Sequence, residues 1–134
     1  MLFVLAGGLF VLLDLILKQM ALVVWTSPVF IFGKVGWAPI LNPGIAFSIP
    51  VPNLVIIIFT LLILGFFCYL LTANKDKTAQ LGLALAIFGA LSNLIDRIFY
   101  QSTIDYLQVY ISVFNLADVL IVTGIGLYLL RLKK

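Results

Sequence analysis

The stretch SNLIDRIFYQSTIDYLQVYISVFNLAD, residues 92–118, sets Asp96, Asp105 and Asp118 into a chain almost free of other acids. Asp14 and Asp76 complete the acidic set; there is no Glu and no His, and the one Cys is Cys68. The 134 residues are 64% hydrophobic and 10% charged, with a mean hydropathy of +1.27. Soluble domains carry about 25% charged residues. Water does not solvate such a surface, so the chain reads as an integral membrane protein. A carboxylate in a bilayer costs roughly 2.5–3.5 kcal/mol on insertion scales. Three in one stretch need a reason, and acid–base chemistry has few other candidates here.

Working outward, a spanning helix needs about 20 mostly apolar residues. Four windows qualify, roughly 2–24, 53–73, 79–99 and 114–131. They predict an all-α, four-helix transmembrane bundle in one domain, 1–134. The first window lacks a basic start and a small-residue cleavage site, and Asp14 and Lys18 interrupt it. It is therefore expected to be a retained helix rather than a signal peptide. Residues 25–52 hold all five prolines, with Trp25, Phe30, Phe32 and Trp37 interleaved. Proline breaks helices, and the alternation Val29-Phe30-Ile31-Phe32 predicts short strands at the interface. Residues 74–78 form a short polar connection, and 100–113 a longer mixed one. Four spans put both termini on one side, with Lys75, Lys77, Arg131, Lys133 and Lys134. The excess of basic residues predicts that this side is cytoplasmic. Asp96, Asp105, Asp118 and Lys18 then gather near the outer face.

Several constellations carry possible chemistry. Asp14 and Lys18 share a helix face at i, i+4, either as an ion pair fixing helix rotation or with Lys18 meeting substrate. Asn42-Pro43-Gly44-Ile45-Ala46-Phe47-Ser48 reads alone as a turn, in which Gly44 permits close backbone approach. Gly89, Asn93 and Asp96 stripe one face of the third window, and Asn93 and Arg97 are i, i+4 neighbours. By themselves these would be polar glue between helices. Asp96 and Arg97, adjacent in sequence, should point to different partners.

Asp105 and Asp118 form the most informative pair. Thirteen helical residues turn through about 1300°, roughly 220° net, so one continuous helix cannot bring them to one face. The segment between them must fold back, leaving Asp105 at a loop edge and Asp118 in the first turn of the last helix. Asn115, three residues earlier, can orient Asp118. Two close carboxylates resist joint ionisation and tend to share one proton, the arrangement of aspartic proteases. Without His, Ser–His and Cys–His systems are excluded, and no conventional zinc site can form. A Ser48–Lys18 dyad has no supporting spacing. The few scattered basic residues, net charge +3, do not suggest nucleic acid. The competing class is a non-enzymatic proton-linked transporter or channel with an Asp relay. That class predicts polar residues at several depths, whereas here they gather at one side.

Together these segments resemble the lipoprotein signal peptidases, or signal peptidase II. The resemblance runs through Asp14 and Lys18, Asn42 to Phe47, Gly89 to Arg97, Ile104-Asp105-Tyr106 and Phe114-Asn115-Leu116-Ala117-Asp118. It implies an aspartyl endopeptidase of the bacterial inner membrane, with Asp105 and Asp118 catalytic and Asp96 supporting. Asn42, Gly44, Asn93, Arg97 and Asn115 would shape the site or hold substrate. The implied substrate is a diacylglyceryl-modified prolipoprotein, cut just before its lipidated Cys, with no cofactor. Membrane lipid and globomycin-type inhibitors are the other implied partners. Residues 25–52 would form a small β-rich extracytoplasmic cradle between the first and second helices. Phe88-Gly89, Ser92-Asn93 and Tyr106 depart from the family's usual Gly-Gly, Gly-Asn and Phe.

Overall fold

A computed structural model of the chain describes residues 2–45 and 49–132, with side chains in the first helix from Gly7 onward. Ala46, Phe47 and Ser48 of the predicted turn lie outside the described residues, as do Lys133 and Lys134. The elements run α1 (Leu2–Val23), β1 (Val29–Ile31), β2 (Val35–Asn42), α2 (Asn53–Ala73), α3 (Lys77–Tyr100), β3 (Thr103–Val109), β4 (Ser112–Phe114) and α4 (Leu116–Leu132). The four helices fall on the four apolar windows. Among the described residues, α2 and α3 are long and apolar enough to cross a membrane.

Local chemistry sets the helix ends. Asp76 caps α3 by accepting from the Ala79 amide at 2.8 Å. Without such a partner, a first-turn amide would be left unpaired. At the other end Gln101 turns left-handed, with φ 58°, and releases the chain into β3. α2 starts just after Pro50-Val51-Pro52, where the Pro52 carbonyl accepts from the Val55 amide at 2.9 Å.

α3 is the central rod, with twelve buried residues, whereas α2 buries only Leu64. Leu64 clusters with Ile87, Ala90 and Leu94 of α3, and Ile121 of α4 packs against that cluster. The α3–α4 seam is built from small residues. A Cβ on Gly82 would lie 2.5 Å from the Gly124 carbonyl oxygen, and one on Gly89 would lie 2.5 Å from that of Ala117. Such backbone approach suits helix association where lipid supplies no hydrophobic drive.

The sheet corrects two sequence expectations. It has four antiparallel strands in the order β1-β2-β3-β4. Only β1 and β2 come from between the first two helices; β3 and β4 come from the connection before α4. The cradle is therefore shared by two connections, and the chain is not all-α. Asp105 lies inside β3, opposite Ile40, rather than at a loop edge. No inside–outside alternation marks the strand in the sequence, because Thr103, Ile104, Asp105 and Tyr106 are buried in succession. The β2–β3 register shifts between Trp37 and Ile40, around Pro39, which has no amide to give the ladder. Ile104 and Tyr106 pack the sheet onto α1 through Ala21 and Leu17.

Candidate active site

The fold back from β3 to α4 brings Asp105 and Asp118 to one residue, Asn115. Its side-chain Nδ2 donates to Asp105 Oδ1 at 2.8 Å, and its backbone N donates to Asp118 Oδ2 at 3.1 Å. Asn115 Oδ1 in turn accepts from the Asp118 amide at 3.0 Å. This reciprocal pair is a capping box at the start of α4. The sequence signal was the three-residue spacing of Asn115 and Asp118. The cap fixes the Asp118 carboxylate at the positive end of the helix.

The remaining carboxylate oxygens are also held. Asn42 Nδ2 donates to Asp105 Oδ2 at 3.1 Å, while Asn42 Oδ1 accepts from the Gly44 amide at 3.0 Å. Asn42 stands opposite Thr103 in the ladder, which makes it the diagonal neighbour of Asp105. Asn93 Nδ2 donates to Asp118 Oδ1 at 2.8 Å. All four oxygens of the pair thus face a nitrogen donor. Asp105 is 3% exposed, and Asp118 is half-buried. Burial first, and then the neighbouring Asp118 charge, push Asp105 from 3.8 up to about 6, against the opposing bonds from Asn42 and Asn115.

The other predicted residues divide between two supports. Lys18 is fully buried and lies 2.7 Å from Asp14 Oδ2 and 2.8 Å from Asp96 Oδ2. Its ammonium also donates to Ser92 Oγ at 3.2 Å and to Asn93 Oδ1 at 3.0 Å. With no exposed surface, Lys18 is a structural anchor in this state. Asp96 additionally accepts from the Ile104 amide at 3.2 Å, tying α3 to β3. Arg97 points the other way, as its adjacency to Asp96 predicted. Its Nη2 donates to the Gly44 carbonyl at 2.6 Å and its Nη1 to Asn53 Oδ1 at 3.4 Å. Gly44 is therefore held by its amide and its carbonyl together. Gly89 touches no acid; its bare Cα lets Ala117, the residue before Asp118, approach α3.

Sequence reasoning assigned no role to Ser92, Asn53 or Tyr106. Ser92 Oγ donates to Asp14 Oδ2 at 2.6 Å. Asn53 Nδ2 donates to the Arg97 carbonyl at 3.0 Å. The Tyr106 hydroxyl donates to Asp14 Oδ1 at 2.8 Å and accepts from the Leu116 amide at 3.1 Å. Burial and the Asp14 carboxylate hold that phenol well above its ordinary range. The only sequence signal for these three was a polar group in an apolar setting. Among the described residues, no buried side-chain nitrogen or oxygen lacks a partner. Nor do three His, Cys, Asp or Glu side chains converge as metal ligands would.

Two solved structures, each described as a bacterial membrane enzyme structure by the in meso method, share this fold. Their TM-scores are 0.87 and 0.86 at 23% identity, over 97% and 98% of this chain and 86% and 92% of theirs. Among curated proteins, the lipoprotein signal peptidase of Wigglesworthia glossinidia brevipalpis is 39% identical over 77 residues, 54% of this chain and 50% of that protein. That of Brucella ovis is 38% identical over 99 residues, 67% of this chain and 62% of the relative. The chain thus spans from half to just under two thirds of the length of these relatives. A family model described as signal peptidase (SPase) II matches residues 6–134, and the chain belongs to that family.

Proposed function

We propose that the chain is a single intramembrane aspartyl endopeptidase domain, with Asp105 and Asp118 as its catalytic pair. The observation that carries this is their common attachment to Asn115, one carboxylate on its side chain and the other on its backbone. Two acids so placed hold one proton between them. The ionised member takes a proton from water as the water oxygen attacks the scissile carbonyl carbon. The protonated member gives its proton to the carbonyl oxygen. In the second half the amide nitrogen is protonated, the C–N bond breaks and the pair returns to its starting state. Asn42, Asn93 and Asn115 orient the two acids. Asp14, Lys18 and Asp96 brace the frame, and Arg97 holds the Gly44 turn where substrate would lie.

Family membership supports prolipoprotein as the substrate class: a precursor carrying diacylglycerol on its Cys, cut on the N-terminal side of that Cys. All four helices would then span the bacterial cytoplasmic membrane, with both termini inside and the sheet and acids near the outer face. The exposed apolar side chains of α2, among them Leu54, Phe59, Leu62 and Phe66, suit a lipid-facing wall. Substrate acyl chains and signal helix would enter laterally from lipid.

The test is cleavage of a lipid-modified preprolipoprotein by the purified protein in lipid–detergent. The native chain should release the signal peptide, and a globomycin-type inhibitor should block it. Asp105→Asn and Asp118→Asn should each remain folded and inactive. Normal cleavage by either variant removes that residue from the catalytic role.

A further inference from the structure

The donor pattern around Asp118 has a direction. Lys18 carries three N–H donors and no acceptor. The atom of Asn93 that meets its ammonium at 3.0 Å must therefore be the amide oxygen. The same oxygen also accepts from Asn115 Nδ2 at 3.1 Å. Turning the Asn93 amide over would set its NH2 group against two donors at once. With the oxygen pinned, Asn93 Nδ2 is the only group left to face Asp118, and Asp118 Oδ1 receives it at 2.8 Å. Asn115 is oriented by the same logic, because its own oxygen is taken by the Asp118 amide.

Resting on the catalytic reading above, we infer that Lys18 is a positioning residue for Asp118, acting through Asn93. The buried ammonium fixes and polarises the Asn93 amide, so that Asp118 Oδ1 always meets a hydrogen-bond donor. The carboxylate on that route is favoured as the ionised, proton-accepting member of the pair. Asp105 has only longer routes to a cation through its donors: Asn115 reaches Lys18 through Asn93, and Asn42 reaches Arg97 through Gly44. Other charged groups act on the pair as well. From α1 these are Asp14 and Lys18; from α3, Asp96 and Arg97; and from β3, Asp105 itself, beside the Tyr106 phenol. Among the described residues, Lys18 alone of the cations is linked to Asp118 through a single intervening amide.

The experiment is a pH profile of kcat/KM on lipid-modified preprolipoprotein, with thermal midpoints measured in parallel. Removing Lys18 alone strands Asp14 and Asp96, so the comparison uses Asp96→Asn against Lys18→Met/Asp96→Asn, each with and without Asn93→Ala. The double variant keeps the native net charge of the buried cluster. Loss of Lys18 should lower kcat at least tenfold and move the acidic limb about one pH unit upward. In the Asn93→Ala background the same loss should change little further, because the two effects run along one route. An unmoved limb, or effects that add fully, would overturn the inference.

Asn93→Asp in the otherwise native chain provides an independent arm. It keeps an oxygen for Lys18 but has no donor for Asp118. The expected result is about a hundredfold loss of kcat/KM in a variant that still melts in one sharp transition, and native turnover would overturn the inference. Asp118→Asn is the control. If it cleaves normally, the catalytic reading itself is wrong; if it is inactive while the Lys18 profiles do not move, only the positioning role falls.

Discussion

Two pairs of aspartates, three of the four buried, lie within one small region, and they are answered in different ways. Asp14 and Asp96 share an ammonium, with Lys18 at 2.7 and 2.8 Å. Asp105 and Asp118 receive only amides, from Asn42, Asn93 and Asn115. An ammonium beside a carboxylate stabilises its negative charge directly. Neutral donors orient a carboxylate without neutralising it, which suits the proton sharing proposed for Asp105 and Asp118. The first pair is bound to a cation, and the second, in the reading proposed above, exchanges protons.

That contrast is broken most severely at the second pair. Asp105→Asn or Asp118→Asn should lower single-turnover cleavage by about 10³-fold or more, since each removes one half of the acid–base exchange. A residual rate near native would make the two pairs equivalent. At the first pair the largest effect should fall on stability instead. Lys18→Met leaves two carboxylates without their cation, and breaking a buried pair costs about 3–5 kcal/mol. A thermal melt in detergent that moves by less than a degree or two would contradict the frame role.

Acid dependence sharpens the comparison further. Asp105 is raised to about 6 in the folded chain, against 3.8 when exposed. Below pH 3.8 it is protonated in both states. Between there and about 6 the unfolded chain releases its proton and the folded chain keeps it, so unfolding is favoured as pH rises. The folded state should therefore lose about 1–3 kcal/mol from this group as pH climbs through that window. Asp105→Asn should flatten the slope. Identical slopes for the two proteins would remove the raised proton affinity from Asp105.

A smaller effect is expected at Gly89→Ala. Alanine favours a helix interior by about 1 kcal/mol over glycine. Its Cβ would nevertheless sit 2.5 Å from the Ala117 carbonyl oxygen, and a backbone atom cannot rotate away. Overpacking of about 1–3 kcal/mol should win, with a loss of cleavage as Asp118 shifts from Asn93. Higher stability with full activity would show that the seam has slack.

The four rods were legible because apolar length alone marks them, and Asp14–Lys18 and Asn115–Asp118 because helical spacing is local. What stayed hidden depends on distant partners. Asp96 reaches Lys18, and Asn42 reaches Asp105, only once β2 and β3 pair and α1 packs on α3. β3 is masked by consecutive buried residues, three of which face polar partners rather than a plain apolar core. Tyr106 looked like a substitution for Phe. Its hydroxyl instead joins α1 to the first turn of α4.

The glycine seam between α3 and α4 has a mechanical corollary. Where main chain rests on main chain, there are no side-chain torsions to absorb error, and spacing becomes a fixed gauge. The offset between Asn93 and Asp118 is set by that gauge rather than by rotamer choice. No such gauge fixes α2, whose single buried residue, Leu64, meets α3 through side chains.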